Sequence, residues 1–259
     1  MGHGRGIFIS GETDQAARRR LPGLTVKEGL MRHPFDAANG VNTSGLVAGR
    51  HLASGHRSDR HATAYYGVAP SVFLALMRRW QRSKPGASVE ETIFIDVGAG
   101  MGRAMLLAAE MPFRAVVGLE LNPALARRAR RNLSVWRKMD RARAPMRLVC
   151  GDATEFGFRS APTVVFMFNP FGAPVMRRLL RAMSRNFAHH AGQLDVLYVN
   201  NEQEAVFEMQ RGFVRLFHGQ VKRSRADAKA DHQILTHQPD GEYASANFED
   251  CSIWRWMGR

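Results

Sequence analysis

From residue 70 onward the chain alternates two kinds of hydrophobic pattern. Val72, Phe73, Leu76, Met77 and Trp80 recur three to four positions apart, the period of a helix buried along one side. KPGAS at 84–88, punctuated by Pro85 and Gly86, reads as a linker. Apolar runs of strand length then appear at 93–97 (IFIDV), 115–121 (AVVGLEL), 146–150, 163–168 and 194–199. Helical patterns separate them: Arg103–Met111, the stretch opened by Pro123 and running to Lys138, and 175–187. Pro123 suits the first turn of a helix, where its missing N–H is no loss. A helix at 202–210 and strands near 213–218 and Cys251–Trp256 complete the pattern. Strand runs alternating with helices predict βαβ units, hence an α/β fold with a largely parallel sheet. The polar, basic stretch Lys222–Ala246 reads as a solvated loop, with a substrate-contacting loop as the less favoured alternative.

The part before residue 70 lacks such order. Residues 1–30, with the run Arg18–Arg20, are expected to be a flexible basic tail. Residues 31–88 are expected to form an N-terminal cap, irregular where Gly, Asn, Ser and His dominate between Phe35 and Arg60. Residues 89–259 hold the main domain.

Composition narrows the classes. Of 259 residues, 45% are hydrophobic and 23% charged, which excludes a fibrous or wholly disordered chain. Cys150 and Cys251 are too far apart for a cysteine zinc cluster, a CxxC redox pair or a disulfide scaffold. No segment approaches the ~20 apolar residues of a membrane span, and the opening MGHGRGIFIS is too short an apolar run for a signal peptide. A soluble, cytoplasmic protein is expected. The formal charge of +14 and pI near 11.0 favour polyanionic partners. Yet only Lys27, Lys84, Lys138, Lys222 and Lys229 are lysines, and so many arginines beside many Ala and Gly residues also fit a GC-rich genome as the source of the charge.

The strongest chemical signal is Asp96-Val97-Gly98-Ala99-Gly100-Met101-Gly102, where the first strand meets a helix. Glycines there allow a sharp turn and close approach of a ligand to the backbone amides. A dinucleotide site needs GxGxxG to receive a pyrophosphate. Here the spacing is GxGxG, and Arg103 stands where the third glycine would be. Asp96 would also repel a pyrophosphate, by about 4 kcal/mol for unit charges ~4 Å apart at an effective dielectric of 20. It would favour S-adenosylmethionine, which has an ammonium, a sulfonium and no phosphate. Glu120, at the tip of the second strand, can accept from ribose hydroxyls. After the third strand, Asp152 and the amide of Ala153 can meet the amino group and a ring nitrogen of adenine.

DVGAGMG, GLELNP, the GDA turn and the NPF after the fourth strand resemble motifs I to IV of class I S-adenosylmethionine-dependent methyltransferases, across about residues 65–218. The resemblance implies a Rossmann-like seven-stranded sheet of order 3-2-1-4-5-7-6, with helices on both faces and an N-terminal helical or irregular extension. It implies that Asp96, Gly98, Gly100 and Gly102 hold the methionine part of the cofactor, Glu120 its ribose, and Asp152 with Ala153 its adenine. YYGVAP at 65–70 matches a cofactor-covering segment, which places Tyr65 or Tyr66 over the ligand.

Asn169-Pro170-Phe171-Gly172 is similar to the (Asp/Asn)-Pro-Pro-(Tyr/Phe) tetrad of enzymes that methylate planar nitrogens. It implies catalytic roles for Asn169, Pro170 and Phe171: the Asn169 side-chain oxygen and the Pro170 carbonyl accept the nitrogen's hydrogens, and the ring stacks on the acceptor. The second proline is missing, so the aromatic residue shifts by one position. The layout YxxxP, DxGxGxG, GxELN is also similar to class I lysine methyltransferases. A lysine acceptor must first lose a proton, for which Asn169, Tyr65, Tyr66 and Asn200 are candidate acceptors. The expected activity is therefore nitrogen methylation of a protein lysine or a nucleic-acid amino group. A small-molecule acceptor and a non-catalytic nucleic-acid-binding module are the alternatives. No metal is expected, since His51, His56, His61 and His189-His190 form no ligand pattern. A nicotinamide dehydrogenase is disfavoured by the loop, and P-loop and GxSxG hydrolase chemistry by the absence of their motifs.

Overall fold

The computed structural model describes residues 32–237 and 246–258. The expected basic tail at 1–30 lies outside the described residues. Seven strands form one sheet: β1 (Ile93–Val97), β2 (Ala115–Glu120), β3 (Met146–Cys150), β4 (Thr163–Phe168), β5 (Leu194–Val199), β6 (Phe213–Lys222) and β7 (Phe248–Trp256). Their order is β3-β2-β1-β4-β5-β7-β6. The first five pair in parallel and β7 runs antiparallel to β5 and β6. This is the sheet order that the resemblance of the motifs implies.

Successive side chains of a strand point to opposite faces, so each strand feeds two cores. Phe94, Val116, Val164 and Phe166 pack against α2 (Pro70–Arg82), α3 (Arg103–Ala109) and α4 (Pro123–Lys138) through Phe73, Trp80, Leu106, Leu133 and Trp136. Ile95, Val97, Val165, Met167 and Val196 pack against α5 (Ala173–Asn186) and α6 (Glu204–Glu208) through Leu179, Met183, Phe187 and Phe207. A sheet covered on both faces explains why its strands read as unbroken apolar runs.

The short α1 (Pro34–Asn39) interrupts the stretch expected to be irregular, and 3-10 turns at Gly49–His51 and Asp59–His61 follow it. A larger correction concerns Lys222–Ala246, expected to be a solvated loop. It contains α7 (Arg225–Thr236), capped by the Ser224 hydroxyl, which accepts from the Asp227 amide at 3.1 Å. Its inward face is largely polar. Asp227 and Asp231 are buried beside Ala230 and Ile234, and they meet His33, Tyr66 and Arg223. A helix whose buried face is made of carboxylates shows little hydrophobic period, which is why the pattern missed it.

Candidate functional site

The site is built at the C-terminal ends of β1, β2, β3 and β4. Gly98, Gly100 and Gly102 all have positive φ, of 74°, 55° and 90°. The loop turns back so that the Gly98 and Ala99 amides both donate to the Leu119 carbonyl at 2.9 Å. Two of the glycines are also required by contact. A Cβ on Gly98 would stand 2.5 Å from Pro170 Cβ, and one on Gly100 would stand 2.2 Å from the Tyr65 ring. The turn after β1, the NPF turn after β4 and the tyrosine before α2 therefore close on one another.

Glu120 ends β2 and accepts the Gly100 amide at 2.7 Å and the Asn122 amide at 2.8 Å. Burial pushes its carboxyl up against the downward pull of these amide hydrogen bonds. Asp96, at the end of β1, is 3% exposed. Burial, aided by the negative charge of Glu120, pushes its carboxyl up to about 8. Among the described residues nothing donates a hydrogen bond to Asp96. A buried carboxylate without a partner is costly, and a ligand cation or donor would relieve it.

Asp152 follows β3 and caps the turn at Ala153–Glu155 by accepting the Thr154 amide at 2.8 Å. Its other oxygen accepts from the Ser58 hydroxyl at 3.3 Å, with His56 at 3.9 Å. Burial pushes Asp152 up, but hydrogen bonds from Thr154 and Ser58 and the nearby His56 outweigh it and hold the carboxyl below its ordinary value. The segment carrying Ser58 lies across the cleft. Ala62 bridges Phe171 in antiparallel fashion, Gly172 donates to the His61 carbonyl at 2.9 Å, and Asn122 Nδ2 donates to the Leu52 carbonyl at 2.9 Å.

Tyr65, Gly98, Gly100, Glu120, Asp152, Ala153, Pro170 and Phe171 line one narrow cavity of about 100 Å³. Asp96 and Gly102 are not among its lining residues; Gly102 is the N-cap of α3. Asn169 lines an adjoining cavity of about 750 Å³, together with Asn200, Glu202, Arg223 and Asp250. Tyr66 and Phe168 line both. Asn169 itself has a left-handed φ of 36° and is buried. Its Oδ1 accepts from the Tyr198 hydroxyl at 3.2 Å, and its main-chain carbonyl accepts from the Thr63 hydroxyl. The Pro170 carbonyl accepts from the Thr63 amide at 3.4 Å. The tyrosine hydroxyls are also placed. Tyr65 donates to the Thr43 carbonyl at 2.7 Å and Tyr66 to Asp231 at 2.6 Å, and burial pushes both phenols upward.

Two features had little signal in the sequence. Arg103 is 3% exposed, and its guanidinium donates to Thr43 Oγ1 (2.7 Å), the Gly67 carbonyl (3.1 Å) and Ser44 Oγ (3.2 Å). Asp36 stands 3.9 Å away and accepts from the amides and hydroxyls of both Thr43 and Ser44. This buried knot fastens the N-terminal extension to the helix that follows the glycine turn. An arginine in place of the third glycine was the visible trace; Asp36 had none. Tyr198 was likewise hidden inside an apolar strand.

Residues 94–190 match the family model of a methyltransferase domain. No curated protein matches the chain. Among solved structures, the [4+2]-cyclase SpnF superposes with a TM-score of 0.50 at 16% identity, over 72% of this chain and 81% of that one. An RNA methyltransferase from Salinibacter ruber, in complex with S-adenosyl-L-homocysteine, is 17% identical with a TM-score of 0.40, over 72% of this chain and 92% of that one. The likeness to SpnF speaks for the fold alone, and a fold is not tied to one reaction. The donor set fits S-adenosyl-L-methionine, the cofactor that the motifs imply: an unpartnered buried Asp96, an acidic Glu120 and a glycine turn open to close approach. Among the described residues no three His, Cys, Asp or Glu side chains group to hold a metal, and no helix is long and apolar enough to cross a membrane.

Proposed function

We propose that this chain, whose residues 94–190 match the family model of a methyltransferase domain, uses S-adenosylmethionine to transfer a methyl group to a nitrogen of a protein lysine or a nucleic-acid amino group. The observation that carries the reading is Asp96: a carboxylate buried at the end of β1, pushed up to about 8, with no donor among the described residues. It stands behind a loop of three left-handed glycines. A cationic amino-acid group is the ligand chemistry that such a carboxylate stabilises.

The cofactor supplies an electrophilic methyl on a sulfonium, which an aligned nucleophile displaces in line. The chain's residues bind and orient. Asp96 and the Gly98–Gly102 turn hold the methionine part, Glu120 the ribose through the lone pairs its amide partners leave free, and Asp152 with Ala153 the adenine. Tyr65, packed on Gly100, covers the site. Asn169 and Pro170 stand at the transfer end. Each of their oxygens already accepts one hydrogen bond, and a carbonyl oxygen has a second lone pair for an amine hydrogen. Phe171 lines the cavity. Burial keeps the phenols of Tyr65 and Tyr66 protonated, with their hydrogens on Thr43 and Asp231, so they do not take a proton from the acceptor.

Calorimetric titration with S-adenosylmethionine and S-adenosylhomocysteine tests this reading. Micromolar binding that is lost in Asp96→Ala and in Glu120→Ala is the expected outcome. Folded wild-type protein that binds neither compound would overturn it.

A further inference from the structure

Net charge alone says little, because arginines occur on five of the seven described helices. Their placement says more. Between Pro123 and Arg147 there are nine basic residues and one acid, Asp140, so α4 and the turn into β3 carry more than half of the chain's +14. The inward side of α4 is Leu125, Ala129, Leu133 and Trp136, packed on the sheet. Arg127, Arg130, Arg131 and Lys138 recur at helical spacing on the outer side and are exposed, as are Arg143 and Arg147.

Among the described residues no carboxylate pairs with any of these six. Among the described residues, Arg141 is the one basic residue of this stretch in an ion pair, with Glu110. Like charges three and four positions apart on a helix destabilise it. The half-buried Arg128 shows the crowding: burial and the charges of Arg131 and Arg32 together hold its guanidinium below its ordinary value. A face of uncompensated cations of this density fits a polyanion.

Its position ties it to the cleft. Asn122 and Leu125, at the start of α4, line the narrow cavity, and the arginines begin on the same turn. Arg147 lies on β3, the edge strand that leads into Gly151 and Asp152 at the cleft's other end. From Arg127 to Lys138 the helix rises about 16 Å, which is the rise of about five phosphates along one strand.

We infer that the outer face of α4, continued by Arg143 and Arg147, is a docking surface for the phosphodiester backbone of a nucleic acid, which makes a base amino group the acceptor. The choice of acceptor rests on the methyltransferase reading; the docking itself does not.

Fluorescence anisotropy with a labelled 20-nucleotide single-stranded RNA, and with DNA of the same sequence, tests it across a salt series. The triple variant R127E/R130E/R131E is compared with R177E/R181E/R185E, which makes the same charge change on exposed positions of α5, on the opposite face of the sheet. The α4 variant should bind at least ten-fold more weakly, with a salt slope lower by about 2, since each lost contact to a single strand is worth about 0.7. The α5 variant should lose less than three-fold. R130Q/R131Q gives the same direction at smaller size should the triple variant fail to fold. Equal losses on the two faces, no loss on either, or wild type that binds vesicles of anionic lipid and neither oligonucleotide would overturn the inference. Unchanged calorimetric binding of S-adenosylhomocysteine to the α4 variant separates docking from the cofactor site. Oligonucleotide binding by a protein that binds no S-adenosyl compound would sink the methyltransferase reading and leave the docking surface standing.

Discussion

The Tyr198 hydroxyl donates its single hydrogen to Oδ1 of Asn169 at 3.2 Å while accepting the Gln203 amide at the same distance. Burial pushes the phenol far above its ordinary value, so that hydrogen stays in place. Turning the Asn169 carboxamide over would set an N–H against the hydroxyl and leave its hydrogen unpaired in a fully buried place. Tyr198 is thus a positioning residue for Asn169. Tyr198→Phe keeps the ring and removes the bond. The expected result is a methyl-transfer rate lower by about ten-fold, or 1.4 kcal/mol, with unchanged affinity for S-adenosylhomocysteine. Transfer of tritiated methyl into pooled RNA, beside calorimetry, measures both.

Asp96 predicts a dependence on pH. Its ordinary value is 3.8 and in the folded free protein it is about 8. Between those values the folded protein keeps a proton that the unfolded chain has released, so the stability of the free protein falls as pH rises through this window. Asp96→Asn removes that slope. Binding of a cation has the opposite sign, because it favours the ionised form. The thermal stabilisation given by S-adenosylmethionine should therefore grow from pH 6 towards pH 8 in wild type and stay flat in the variant. Thermal unfolding from pH 5 to 8.5, with and without ligand, shows whether the curves diverge.

Gly100 predicts a steric outcome. Alanine there would meet the Tyr65 ring at 2.2 Å in a backbone region that disfavours side chains. The left-handed conformation alone costs roughly 1–2 kcal/mol, and the clash adds to it. Gly100→Ala should lose about 2–4 kcal/mol in urea unfolding together with cofactor binding. Gly151→Ala, where a Cβ meets nothing within 4 Å, should change stability by less than about 0.5 kcal/mol.

The Asp36–Arg103 knot predicts the largest stability effect. Asp36→Ala strips the buried guanidinium of its carboxylate and leaves four donors from Thr43 and Ser44 without their acceptor. Breaking a buried pair from one side costs about 3–5 kcal/mol. Urea unfolding should show a loss of that size. A loss under 1 kcal/mol would mean that the N-terminal extension is not fastened through this pair.

Hydrophobic period was enough to delimit the central strands and to locate Asp96, Glu120 and Asp152 at their ends, while the order of the sheet came from the motifs' resemblance to class I methyltransferases. Those features are local: a strand buried on both faces must be apolar, and a turn with positive φ must use glycine. What closes over the cleft was not legible. The segment 43–66 closes on itself through the Val47–Tyr65 bridge and the Tyr65–Thr43 hydrogen bond, and it is fastened across the cleft by Ser58 and Thr63, whose partners Asp152 and Asn169 lie far along the chain. Helix α7 was missed because it buries carboxylates, and burying charge is favourable only when His33, Tyr66 and Arg223 arrive from other elements. The same holds for Tyr198 beside Asn169 and for the clustering of arginines on one outer face. The sequence by itself determined the sheet and the identity of the residues at its edge. Tertiary structure alone decided their pairing, their burial and their charge, because those depend on contacts that only the folded chain makes.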